Sequence, residues 1–133
     1  MPLEDKPVND TNATKILLVE DNEINRDMLV RRLTRAGHTV ICAADGEQAL
    51  QKMRSEQPAL VLLDMNLPIK DGWTTCREAR ADSRTRHQPI IALTAHAMEN
   101  DRQTALNIGC NDYATKPIDF PELLGKIAKF VSL

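Results

Sequence analysis

Aromatic residues are scarce in the 133-residue chain: two Phe, one Trp and one Tyr cannot make a surface on which nucleic-acid bases stack. A basic excess is missing too, since seventeen Lys and Arg against nineteen Asp and Glu leave a formal charge of -2, without the surplus that binding to a phosphate backbone requires. Direct DNA binding is therefore not expected. Long apolar runs are absent: none, Ala59 to Leu63 included, exceeds five residues, against the roughly 18 to 20 of a membrane-spanning helix. No membrane insertion of this chain is expected. Residues Met1 to Ala13 carry no apolar stretch of a secretory signal and read as a disordered polar tail, 1-13, with a cytoplasmic location as the default. Cysteine is sparse and forms no CxxC pair, so Cys42, Cys76 and Cys110 read as reduced residues of the core or its margin, without a metal or redox role.

What is present is a repeat of two patterns. With 42% hydrophobic residues the stretch 14-133 can fill one domain core. Five times a short β-branched or Leu-rich run precedes a longer segment with helical spacing. The runs are Ile16 to Val19, Thr39 to Cys42, Leu60 to Leu63, Ile90 to Leu93 and a weak fifth at Tyr113 and Ala114. Asp45 with Gln48 and Asp119 with Glu122 have the spacing of helix-starting capping boxes. Gly37 reads as the stop of a first helix whose inner face is Ile24, Met28, Leu29 and Leu33. Phe120, Leu123, Leu124, Ile127, Phe130 and Val131 give the last helix one apolar stripe. The segment Met98 to Ile108 has little to bury and is expected to be loosely held, and the charged run Arg77 to Arg86 reads as a solvated helix and loop. Strand and helix in alternation predict an α/β fold, a single doubly wound five-stranded parallel sheet of order 2-1-3-4-5.

Sheets of this kind place ligands beyond the carboxyl ends of their strands. Those ends carry Glu20 and Asp21 after the first strand, Asp64 after the third, Thr94 after the fourth and Lys116 after the fifth. Three carboxylates crowded together repel one another, and a hard divalent cation such as Mg²⁺ is the natural partner for them. A lysine and a hydroxyl beside that metal suit a phosphoryl group, with Asp64 as the nucleophile. An FMN carrier of the same topology fits poorly, because Glu20, Asp21 and Glu23 would repel the cofactor phosphate. An aspartyl phosphatase would want a second Asp where Asn66 stands. His38, His87 and His96 show no metal-ligand spacing.

Four motifs, Leu18-Val19-Glu20-Asp21-Asn22, Asp64-Met65-Asn66-Leu67-Pro68 through Asp71-Gly72, Thr94-Ala95 and Lys116-Pro117, make the chain resemble the receiver domains of two-component response regulators, which have a flavodoxin-like (βα)5 fold. The resemblance covers about residues 14-133. It implies that Asp64 takes a phosphoryl group from a phosphohistidine on a sensor histidine kinase or a histidine phosphotransfer protein. It implies Mg²⁺ held by Asp21, Asp64 and the backbone carbonyl of Asn66, with Glu20 acting through water, and a cis Lys116-Pro117 bond. Thr94 and Tyr113 correspond to the residues that switch a surface made by the fourth helix, fifth strand and fifth helix for a downstream protein target. Asn66 and His96 correspond to positions that tune dephosphorylation, and Ile24, Asn25 and Met28 to a docking face for the phosphodonor. Such a domain catalyses only its own phosphotransfer and slow autodephosphorylation, and stands alone or forms part of a hybrid histidine kinase. The alternative is a docking module of the same fold that works without phosphorylation.

Overall fold

The computed structural model describes residues 15–95 and 99–131. The expected tail 1-13, Met98 and His96 lie outside them. Five strands alternate with five helices: β1 (Lys15–Val19), α1 (Glu23–Arg35), β2 (Thr39–Ala43), α2 (Gly46–Glu56), β3 (Leu60–Asp64), α3 (Gly72–Ala81), β4 (Ile90–Thr94), α4 (Glu99–Asn107), β5 (Asp112–Thr115) and α5 (Phe120–Ile127). All neighbouring strands are parallel, in the order β2-β1-β3-β4-β5, as the strand and helix alternation predicts.

The three central strands are buried on both faces, which is why their sequences are continuous apolar runs. Their period-two alternation divides the core. Leu17, Val19, Val61, Leu63, Ile90 and Ala92 face α2, α3 and α4, meeting Ala49, Leu50, Met53, Cys76, Ala79 and Ala105. Ile16, Leu18, Leu60, Leu62, Ile91 and Leu93 face α1 and α5, meeting Leu29, Leu33, Leu123, Ile127 and Val131. The stripe expected on the last helix is thus seated on the sheet.

Caps fix where the helices begin. Asp45 accepts from the Gln48 amide at 2.8 Å and Asp119 from the Glu122 amide at 3.1 Å, as the capping spacing predicts. Two further caps, Asn22 on the Asn25 amide at 2.9 Å and Asp71 on the Thr74 amide at 2.8 Å, escaped the sequence reading because no Glu or Gln stands three residues on. Gly37, at φ 104°, ends α1, and the His38 amide reaches back to the Leu33 carbonyl at 3.1 Å.

The inner face expected of α1 is half right. Leu29 and Leu33 are buried, whereas Ile24 is 79% and Met28 45% exposed. With 3.6 residues per turn, Met28 sits about 100° and Ile24 about 140° round the helix from Leu29, both on the same side. The run Arg77 to Arg86 also departs from a purely solvated reading. Arg80 turns inward, giving two hydrogen bonds to the Gly109 carbonyl at 2.7 and 2.9 Å and one to the Asn111 side chain at 3.0 Å, which clamp α3 to the α4–β5 turn. No described helix is long and apolar enough to cross a membrane.

Candidate functional site

The carboxyl ends of β1, β3, β4 and β5 meet at one edge of the sheet. Parallel register sets Asp64 beside Leu93 and Thr94 beside Thr115, and the Lys116 amide donates to the Thr94 carbonyl at 2.8 Å. Lys116 therefore leaves the sheet next to Thr94 and turns back over the end of β3. The Lys116-Pro117 bond is cis, as the family resemblance implies.

Glu20, Asp21 and Asp64 bring a carboxylate oxygen each to within 4.8 Å of one another. Glu20 and Asp64 are almost wholly buried, and Asp21 is exposed. The Lys116 ammonium lies 3.0 Å from Asp64 Oδ2 and 3.5 Å from Glu20 Oε1. Backbone amides complete the hold: Asn66 donates to Asp64 Oδ1 at 2.9 Å, and Asn22 to Glu20 Oε2 at 3.1 Å. Arg26 anchors the loop by donating to the Glu20 carbonyl at 3.1 Å.

Charge does not balance here. Three acids face one lysine. Burial pushes the Glu20 carboxyl above its ordinary 4.5; the Asn22 amide and Lys116 pull it back, and the charge of Asp64 adds to the rise. Burial works against the Lys116 ammonium as well, yet the hydrogen bond and charge of Asp64, followed by those of Glu20, carry its pKa above the ordinary 10.5. A hard divalent cation fits this donor set: oxygen ligands only, a net negative field, and one member open to solvent.

A recess of about 50 Å³ lies beside the acids, lined by Met65, Asn66, Trp73, Thr94 and Ala95. Trp73 walls this recess, a placement its sequence position alone does not signal. Asn66 is exposed and Thr94 buried. A larger groove of about 520 Å³ runs from Glu20 and Lys116 between α1 and α5, over Asn25, Met28, Leu29, Ile118 and Phe120. Of the three expected docking residues, Asn25 and Met28 line it, and Ile24 projects from α1 outside its lining. Tyr113 is half-buried, with the Arg102 guanidinium of α4 5.1 Å and the Lys126 ammonium of α5 4.9 Å from its ring centre. These two cations were not anticipated, being cross-element neighbours without local spacing.

A model of the response regulator receiver domain matches residues 16–128. Among solved structures, the chain is similar to the receiver domain of a sensor histidine kinase from Pseudomonas aeruginosa, solved with a magnesium ion coordinated in the active-site cleft (39% identity, TM-score 0.81, covering 88% of this chain and 96% of that one). It is also similar to the receiver domain of a Saccharomyces cerevisiae response regulator, solved in complex with a histidine phosphotransfer signalling protein (29%, 0.82, 88% and 88%). A third is a BeF3-activated N-terminal receiver domain from Klebsiella pneumoniae (30%, 0.81, 90% and 99%).

Proposed function

The chain belongs to the response regulator receiver domain family, and from that premise we propose that Asp64 is its phosphoacceptor, with Lys116 and Thr94 completing the reacting site. The chain is a receiver of two-component or phosphorelay signalling, and the phosphoryl group comes to it from a phosphohistidine. The observation that carries the assignment is the contact of Asp64 with Lys116 at 3.0 Å inside the acidic cluster, at the junction of three strand ends.

Asp64 is held from two sides, Oδ1 by the Asn66 amide and Oδ2 by Lys116, so the carboxylate is fixed before a donor arrives. A carboxylate oxygen attacks phosphorus, an O–P bond forms as the N–P bond to the donor imidazole breaks, and the imidazole leaves with the electron pair. An ionised carboxylate needs no general base. Lys116 balances the charge of the transferred group, and the Thr94 hydroxyl donates to one of its oxygens. Asp21, Asp64 and the Asn66 carbonyl hold Mg²⁺, with Glu20 acting through water, and the ion when bound supplies the positive charge that Lys116 alone does not. The chain thus modifies itself: its catalysis is limited to its own phosphotransfer and slow autodephosphorylation, which Asn66 and His96 tune.

Thr94 and Tyr113 relay the change to the surface of α4, β5 and α5 for a downstream protein target. The two cations on the Tyr113 ring support this role, because α4 and α5 both meet at that side chain. The phosphodonor docks at the α1 end of the groove through Ile24, Asn25 and Met28. Exposed apolar side chains on a helix next to the acceptor favour that face. Met28→Asp tests it: transfer from a phosphorylated histidine phosphotransfer protein should slow at least tenfold, with labelling by acetyl phosphate unchanged. Equal transfer rates in the two proteins would remove α1 from the docking face.

A further inference from the structure

Cys76, on the inner face of α3, and Cys110, in the turn between α4 and β5, are separated by 33 intervening positions, and nothing in their spacing suggests a pair. In the fold their sulfurs lie 3.6 Å apart, both thiols free and both side chains buried in one apolar cluster. We propose that Cys76 and Cys110 form a reversible disulfide on exposure to hydrogen peroxide, making this edge of the domain a redox-sensitive staple between α3 and the α4–β5 turn.

The chemistry closes without a further reactant. One thiolate attacks a peroxide oxygen, the O–O bond breaks, and a sulfenic acid and hydroxide form; the second thiol then displaces water from that sulfur. Two thiols and one peroxide give one disulfide and two waters, and a dithiol reverses the change by exchange. The two sulfurs are not equivalent. The Cys110 thiol donates to Cys76 Sγ, the Cys76 thiol donates to the Ile108 carbonyl at 3.7 Å, and the positive charges of Arg80 and Arg77 act on Cys76. The hydrogen bond from Cys110, against the opposing effect of burial and helped by these charges, lowers the Cys76 pKa, while the same bond and burial hold Cys110 protonated. Closure from 3.6 Å to the roughly 2 Å of a disulfide asks each sulfur to move under 1 Å. Access is through α4, whose one buried side chain among the described residues is Ala105, so that a water-sized oxidant reaches the pair when this helix opens. The staple would fix the turn that leads into Tyr113.

The test is peroxide treatment of the full chain, denaturing alkylation and intact mass. The expected product is lighter by two hydrogens before alkylation, takes one label instead of three, and yields a Cys76–Cys110 cross-linked peptide that dithiothreitol releases. Cys42→Ser should still form it and Cys110→Ser should not. Hydrogen exchange of residues 106–112 should slow in the oxidised form. Three labels after peroxide, a bridge to Cys42, or a covalent dimer would each overturn the proposal, and the wild-type peptide map decides this even if Cys110→Ser does not fold.

Discussion

If the acidic cluster stores repulsion, removing one charge without changing shape should stabilise the metal-free protein, and Asp21→Asn does this at the exposed corner. Two unit charges 4.8 Å apart repel by about 0.9 kcal/mol in water and about 3.5 kcal/mol at an effective dielectric of 20. Asp21 is open to solvent, so the lower figure applies to each of its two neighbours. Glu20 remains adjacent in the unfolded chain and keeps part of its repulsion there. A net gain of about 1 kcal/mol follows, or roughly 3 to 5 °C in Tm for a domain of this size. Thermal unfolding in a chelator at low ionic strength and pH 7.5 measures it. The gain should shrink in about 0.5 M salt, where the Debye length falls well below 10 Å, and Mg²⁺ should stabilise the wild type more than the variant. The pH dependence follows from Glu20. Its folded pKa lies above 4.5, so the folded state holds this proton more tightly, and its contribution is full below 4.5 and lost as pH rises through the folded value. The benefit of Asp21→Asn should therefore fade toward pH 4.5. A lower Tm for the variant in chelator, or a gain indifferent to salt and Mg²⁺, would refute the reasoning.

Arg80→Ala removes the clamp on Gly109 and Asn111 and should cost about 2 to 3 kcal/mol in urea unfolding. Arg80→Lys should rescue little of that, since an ammonium cannot reproduce the planar fork, and full rescue would show that only the charge matters. Gly72→Ala places a Cβ 2.6 Å from both the Asp64 carbonyl oxygen and Met65 Cα. It should destabilise by about 1 to 3 kcal/mol, and a loss under about 0.5 kcal/mol would mean the β3–α3 junction yields. His38 is buried with Nδ1 unpartnered, and burial lowers its pKa below 6.5. Its contribution to stability is therefore full above pH 6.5 and lost as pH falls through the folded value. Relative to wild type, His38→Phe should gain stability between pH 7.5 and 5, measured as urea midpoints, and parallel pH profiles would contradict this.

Sheet order and the residues at the strand ends were legible because they depend on local signals: β-branched runs, turn residues and the fixed hand of parallel crossovers. Glu20, Asp21, Asp64 and Lys116 meet as that topology requires. Contacts between elements were less legible. The apolar character of Ile24 and Met28 suggests an inner face, yet their angle on α1 turns them to solvent. In the sequence Arg80 is one more charge in a charged run, although its guanidinium finds the Gly109 carbonyl 29 residues away. Cys76 and Cys110 met because Gly109, at φ 115°, turns the chain back toward α3. No spacing rule encodes such long-range meetings.

The central claim, that Asp64 accepts the phosphoryl group at a Mg²⁺-dependent site, is tested most directly by intact mass after incubation with acetyl phosphate, with Mg²⁺ or with chelator. The account expects one phosphoryl adduct on the wild type in Mg²⁺, none in chelator, and none on Asp64→Asn. An adduct that persists in Asp64→Asn, or its absence from a folded wild type that binds Mg²⁺, would contradict it.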